Sequence, residues 1–208
     1  MKKTDEKRFS GKGKFEIVLA GRSNVGKSAL VRELTGRKVR TGKRPGVTLQ
    51  PTVVRNGDLV VTDLPGFGFM SGVKERKQDI VKDQVVRYFE QHAREISVAL
   101  LVLDASVFTD ITERWAKKGE IPIDIEMFDF LGELGVDTII VPNKMDRVKN
   151  RDKELDSIVS GFGLLGSWKR WESMITPVCA KTGDIAALKI LLRERLHAAR
   201  RDDLLKYL

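Results

Sequence analysis

The sequence predicts an α/β fold in three layers, a mostly parallel six-stranded sheet flanked by helices, and three observations carry that prediction. The apolar run Phe15–Ala20 stops at the glycine-bearing stretch Gly21–Ser28, and the helical run Ala29–Leu34 follows at once, so strand, loop and helix succeed one another without a gap. Ser97–Leu103 is continuously apolar, as in a central parallel strand buried on both faces. Thr138–Val141 and Met174–Val178 are further short apolar runs separated by helical stretches, the alternation from which parallel sheets are built.

The remaining elements follow in order. Residues 1–14 are polar and lysine-rich, ending in Ser10-Gly11-Lys12-Gly13-Lys14, and read as a basic N-terminal arm. Residues 15–200 then read as one domain whose closing helix runs on towards residue 208. The stretch from Thr35 to Thr48 carries glycines, Pro45 and an unbroken basic character (Arg37, Lys38, Arg40, Lys43, Arg44), which makes it a long loop. Strands over Pro51–Arg55 and Leu59–Thr62 are joined by the turn pair Asn56-Gly57. The second runs into Asp63-Leu64-Pro65-Gly66. Beyond it, Phe67 and Phe69 in the glycine-rich segment to Gly72 are either exposed aromatics or core residues.

A helix from Lys74 to Ala93 places Ile80, Val81, Val85 and Phe89 along one face. Residues 107–120, with Trp115, Lys117 and Lys118, read as a loop. Asp124–Leu134 sets Ile125, Phe128 and Leu131 at helical spacing, and Lys149–Val159 reads as a charged helix. The last helix starts near Asp184. It turns Leu188, Leu191, Leu192, Leu196 and Leu205 inward, and Lys189, Arg193, Arg200 and Arg201 outward as a solvated face.

The chemistry is concentrated in Gly21-Arg22-Ser23-Asn24-Val25-Gly26-Lys27-Ser28, which fits the phosphate-loop pattern G-x-x-x-x-G-K-[ST] in its required strand–loop–helix context. Gly21 and Gly26 permit the backbone angles that turn successive N–H groups toward one anion. With the positive end of the following helix, those amides cradle α- and β-phosphates. Lys27 is placed to reach the β- and γ-phosphates, and the Ser28 hydroxyl to coordinate Mg²⁺. The basic loop is where a nucleotide switch orders a segment around Mg²⁺ and the γ-phosphate. Thr48, after Pro45-Gly46-Val47, is the best-placed hydroxyl there, with Thr41 and Thr52 as competitors. Asp63, at the end of a buried strand, matches a water-mediated Mg²⁺ ligand. Leu64 and Pro65 lead from it to Gly66, which has no side chain to block its N–H from a γ-phosphate.

Asn143-Lys144-Met145-Asp146, after the strand at Thr138–Val141, specifies the base. An Asp146 carboxylate accepts two hydrogen bonds from guanine N1–H and the exocyclic amine. Adenine offers neither in that geometry, and the acceptor would be left unpaired. Asn143 is expected to tie the loops together and Lys144 to stack its stem on the ring. Val178-Cys179-Ala180-Lys181 ends the last strand where a backbone N–H would meet guanine O6. Trp168-Lys169-Arg170-Trp171 interleaves aromatics with cations, either to stack on unpaired bases or to pack under a long loop.

Composition narrows the classes. No apolar run approaches the ~18 residues of a membrane span, and Met1–Arg8 is basic without the apolar core of a secretory signal. Cys179 is the only cysteine, and His92 and His197 are the only histidines, which excludes disulfides within the chain and argues against a Cys/His zinc site. A cytoplasmic protein is expected. The net charge of +9 across 208 residues favours polyanionic partners such as RNA.

Taken in order, Gly21–Ser28, Thr48, Asp63–Gly66, Asn143–Asp146 and Cys179–Lys181 resemble the five signature motifs of a translation-factor-class P-loop GTPase. More narrowly, the phosphate loop as written, Pro-Gly-x-Thr, and Asp-Leu-Pro-Gly-Phe-Gly-Phe resemble the EngB (YihA) family of small stand-alone GTPases, over roughly Phe15 to Leu196. The resemblance implies a G domain that binds GTP and GDP with Mg²⁺, a role in assembling the large ribosomal subunit with its precursor or rRNA as partner, and a link to cell division and septation. Cys179 stands where serine is usual, and the 147–173 stretch matches no family pattern. Small signalling GTPases carry a water-positioning glutamine at the position of Phe67, so slow hydrolysis is expected, with Lys27, Asn24 and Gly66 as the catalytic set. Related loops with Asn24's asparagine use it to hold K⁺ against the phosphates.

Three classes follow: a slow GTPase that docks on pre-ribosomal RNA, a GTP-sensing protein-interaction switch with incidental catalysis, and a nucleoside or nucleotide kinase. The third gives Asn143–Asp146 no purpose. A monomer without membrane attachment is expected for the first.

Overall fold

The computed structural model describes residues 13–37, 50–68 and 75–208, the last from 75 to 78 in backbone only. Thr41, Gly46, Val47, Thr48, the basic residues 38–44, Phe69 and nearly all of the N-terminal arm lie outside the described residues. The elements are β1 (Phe15–Ala20), α1 (Lys27–Thr35), β2 (Thr52–Asn56), β3 (Leu59–Asp63), α2 (Glu75–His92), β4 (Ile96–Asp104), α3 (Phe108–Ala116), α4 (Ile123–Glu133), β5 (Thr138–Asn143), α5 (Arg151–Gly161) and α6 (Ala186–Ala198).

Strand order is β2-β3-β1-β4-β5, with β2 antiparallel at one edge and the other pairings parallel. Pleating divides the apolar residues between two faces. Ile17 and Leu19 of β1 and Val98, Leu100 and Val102 of β4 face α1 and α6. Val18 and Ala20, with Ala99, Leu101 and Leu103, face α2 through α5. Two cores on one sheet make the three layers. Because β1, β3, β4 and β5 run the same way, the phosphate loop, Asp63, Asp104 and Asn143 all emerge at one edge of the sheet, where ligands of open parallel sheets sit.

Among the described residues the sheet has five strands where six were expected. Residues 174–178 do run parallel to β5: Ile140 N–H donates to Met174 O (2.8 Å), Thr176 N–H to Ile140 O (3.0 Å) and Val178 N–H to Pro142 O (2.8 Å). The next ladder bond would need an N–H at Pro142, which has none, so the pairing is confined to one bridge, Ile140 with Ile175.

Residues 108–116 form a helix where a loop was expected. Phe108, Ile111 and Trp115 stand at helical spacing, and Phe108 is buried with its ring stacked on Phe162 at 5.4 Å. Phe108 anchors it. In α2, Val81, Val85 and Phe89 face the core as expected, whereas Ile80 is 47% exposed. In α4 the buried face runs through Ile123, Met127 and Leu131, and Ile125 and Phe128 are half-buried at its margin. Beyond α6 the chain turns through Asp202–Tyr207, where Leu204 rather than Leu205 is buried. Arg201 is no solvated charge: it pairs with Asp58 (3.0 Å) and Asp203 (2.9 Å) and donates to Gly13 O. Trp168 and Trp171 take the packing role. Both rings lie against the core, with indole N–H groups donating to Asp152 (2.9 Å) and Leu165 O (3.1 Å).

Candidate functional site

The phosphate loop links β1 to α1, and its shape is enforced by close contacts. Gly26 has φ of 104°, and a Cβ there would lie 2.3 Å from Asn143 Nδ2. Asn24 carries a positive φ of 66° without being glycine, a strain that functional loops tolerate. Lys27 is buried, and its ammonium donates to Gly21 O (2.8 Å) and Arg22 O (3.0 Å), closing the loop on itself. Burial pushes Lys27 down to about 8, against the opposing pull of Asp63 and Asp124.

Ser28 Oγ donates to Asp63 Oδ2 at 2.6 Å, which joins the start of α1 to the end of β3. Asp63 Oδ1 is buried without a hydrogen-bond partner among the described residues. Burial raises the Asp63 carboxyl although Lys27 and the Ser28 hydroxyl lower it. A hydroxyl and a carboxylate in contact, with buried lone pairs to spare, fit a hard cation that takes oxygen ligands and completes its shell with phosphate and water. No group of three or more His, Cys, Asp or Glu is gathered for a metal among the described residues. Leu64 and Pro65 are buried, and Leu64 N–H donates to Leu19 O at 3.1 Å. Gly66 follows, so close to the phosphate loop that a Cβ would stand 2.7 Å from Ser23 Cα. Phe67 is fully buried rather than exposed, and its backbone bridges Arg22.

The second half is built on β4, β5 and the turn after residue 178. Asn143, 3% exposed, donates to Val25 O (2.8 Å) and accepts from Ala180 N–H (3.0 Å), stitching three loops together. Lys144, with φ of 64°, reaches back to Asn24 O (2.7 Å) and Asp104 Oδ2 (2.6 Å). Met145 and Val178 are core residues joined by a backbone bond of 3.3 Å. Asp146 and Lys181 are exposed. The buried Cys179 thiol donates to Asp146 Oδ1 at 3.3 Å, so its side chain orients the carboxylate expected to read guanine.

Thus the sequence-predicted residues from β1, β3, β5 and the 178–181 turn converge on one sheet edge. Sequence reasoning missed three contributors. Asp104 anchors Lys144, and its signal was an acid ending the strand beside Asn143. The Cys179 thiol was passed over in favour of its backbone. Asp124, 3% exposed in the first turn of α4, stands 3.8 Å from the Arg22 guanidinium, and nothing in the local sequence marks it.

A family model described as 50S ribosome-binding GTPase matches residues 16–144. The probable GTP-binding protein EngB of Methanosarcina barkeri is 59% identical over 195 residues, covering 93% of each chain. That of Methanosarcina mazei is 56% identical over 196 residues, covering 93% of this chain and 94% of its own. A crystal structure of a probable GTP-binding protein engB superposes with a TM-score of 0.79 at 39% identity, over 88% of this chain and 99% of that one.

Proposed function

The chain belongs to the EngB family of GTP-binding proteins, and on that premise we propose that it is a GTP/GDP switch with slow, Mg²⁺-dependent GTP hydrolysis that acts in large-subunit ribosome assembly. The observation that carries the reading is the joining of Lys27, Ser28 and Asp63 at the sheet edge to a guanine-reading set stitched by Asn143. In it, Gly21–Ser28, with Gly46 and Val47, surround the phosphates, Asn143–Asp146 and Val178–Lys181 hold guanine, and Ser28, Asp63 and Thr48 hold Mg²⁺.

When bound, Mg²⁺ would supply charge neutralisation to the phosphates. The residues of this chain do the rest. Lys27 brings a buried cation to the phosphates, and Gly66 offers an unobstructed N–H to the γ-phosphate. Phe67 supports slow turnover: the side chain at the glutamine position is buried and has no group to orient water. Asn24, exposed on the loop, would hold K⁺ as a further counter-charge. A turnover rate identical in K⁺ and Na⁺ buffers, also on ribosomal particles, contradicts that part.

The family model's description and the +9 charge support a ribosomal, RNA-rich partner contacted through phosphates. A monomer in the cytoplasm is the working form; no described helix is long and apolar enough to cross a membrane. Co-sedimentation tests the partner. Large-subunit precursors should retain the protein with GTP and Mg²⁺, release it with GDP, and lose it as salt rises. No association with either nucleotide would favour a GTP-sensing protein-interaction switch, including one in cell division or septation, in which catalysis is incidental.

A further inference from the structure

Among the described residues three acids are buried: Glu16, Asp63 and Asp124. Glu16 accepts hydroxyl hydrogen bonds from Thr62 and Tyr88, both 2.7 Å, and Asp63 accepts one from Ser28. Asp124 has only an ion pair with Arg22 of the phosphate loop, Nη1 to Oδ2 at 3.8 Å. At that separation no hydrogen bond forms. Asp124 Oδ1 and Arg22 Nη1 both lie buried without a hydrogen-bond partner among the described residues. A loose buried pair loses more in desolvation than its attraction returns. Burial accordingly pushes the Asp124 carboxyl up to about 6, even with Arg22 and Lys27 facing it. This pair does not serve stability.

Its surroundings indicate what it serves. The Arg22 backbone bridges Phe67, and Ser23 N–H donates to Phe67 O at 3.3 Å. A Cβ on Gly68 would stand 3.4 Å from Arg22 Nε and 3.5 Å from Ile123 Cγ2. The Arg22 side chain therefore runs beneath Gly68, between the 66–68 strip and the head of α4. That strip includes Gly66, whose N–H is expected to meet the γ-phosphate.

We propose that Arg22 and Asp124 form a positioning pair for γ-phosphate turnover: Asp124 holds the Arg22 guanidinium beneath Gly68 and so keeps the phosphate loop and the 66–68 strip in one register. The inference rests on the GTPase reading above. The loop amides and Lys27 hold the diphosphate without Asp124, so its loss acts on hydrolysis and spares GDP binding.

Asp124→Asn and Asp124→Ala in the full chain test it, by single-turnover hydrolysis of GTP with Mg²⁺, GDP titration and thermal melting near neutral pH. Hydrolysis should fall about tenfold in Asp124→Asn and further in Asp124→Ala, with GDP affinity within about twofold of wild type, the split expected when positioning alone is lost. The melting temperature of Asp124→Asn should stay level or rise. Variants that hydrolyse at the wild-type rate overturn the proposal. So do variants in which rate, GDP affinity and melting temperature fall together, as for a merely structural pair. A wild-type chain that binds GDP but turns over no GTP overturns the GTPase reading and the proposal with it. That failure is distinct, because it shows before any variant is made.

Discussion

The two halves of the site differ in how complete they are without ligand. In the guanine half every key side chain has found a partner: Asn143 holds Val25 and Ala180, Lys144 holds Asn24 and Asp104, and Asp146 is met by Cys179. In the phosphate half, among the described residues, the buried atoms without a hydrogen bond are Asp63 Oδ1, Asp124 Oδ1 and Arg22 Nη1. There Lys27 is pushed down and both carboxyls up, each by burial first. Desolvated groups without partners are costly. A site that retains them gives up stability for function: Lys27 and Asp63 are aimed at charge that arrives with the ligand, and Arg22 and Asp124 hold the loop in place around it. The base half is preformed, and the phosphate half is completed by what it binds.

Lys27→Ala should break the comparison most severely. It removes the charge-assisted contacts of the phosphate half and leaves the guanine half folded, so GDP affinity should fall by about 10²-fold or more with no change in circular dichroism. Loss of fold instead of affinity would mean that the ammonium's bonds to Gly21 and Arg22 are structural.

Asp124 sharpens the comparison through pH. Its carboxyl rises from 3.8 to about 6 on folding, so the folded state binds more protons than the unfolded one within that window. The contribution of this group to the stability of the ligand-free protein should therefore fall as pH rises from about 4 to 6, by up to about 3 kcal/mol, and the penalty is fully present well above 6. Urea unfolding across that range should show Asp124→Asn gaining stability relative to wild type as pH rises. The smallest effect belongs to the guanine half. Cys179→Ser keeps a donor to Asp146 and should bind GDP as wild type does. Cys179→Ala removes a weak thiol donor to the carboxylate, a loss of about 1 kcal/mol, and should weaken GDP binding several-fold in a fluorescence titration.

The sheet-edge convergence was legible because each motif ends a strand whose apolar run marks it, from Phe15–Ala20 to Thr138–Val141. The sixth strand failed where Pro142 interrupts the partner's ladder, a pairing effect that the apolar run at 174–178 does not reveal. α3 was hidden by its charges, although Phe108, Ile111 and Trp115 kept helical spacing. Asp124 was illegible for a deeper reason. An acid in the first turn of a helix reads as an ordinary partner of the helix dipole, and only the packing of α4 against the phosphate loop sets it beside Arg22. Motifs locate residues that touch a ligand. Residues that act through another side chain leave no local pattern.

Proton uptake on binding tests the difference between the halves most directly. The Lys27 ammonium sits at about 8 without ligand, and phosphate oxygens beside it should raise it well above that. Calorimetry of GDP and Mg²⁺ binding at about pH 8.5, in two buffers of different ionisation enthalpy, should therefore report uptake of roughly three-quarters of a proton per site. Binding without proton uptake, or with release, would contradict a phosphate half that is completed by its ligand.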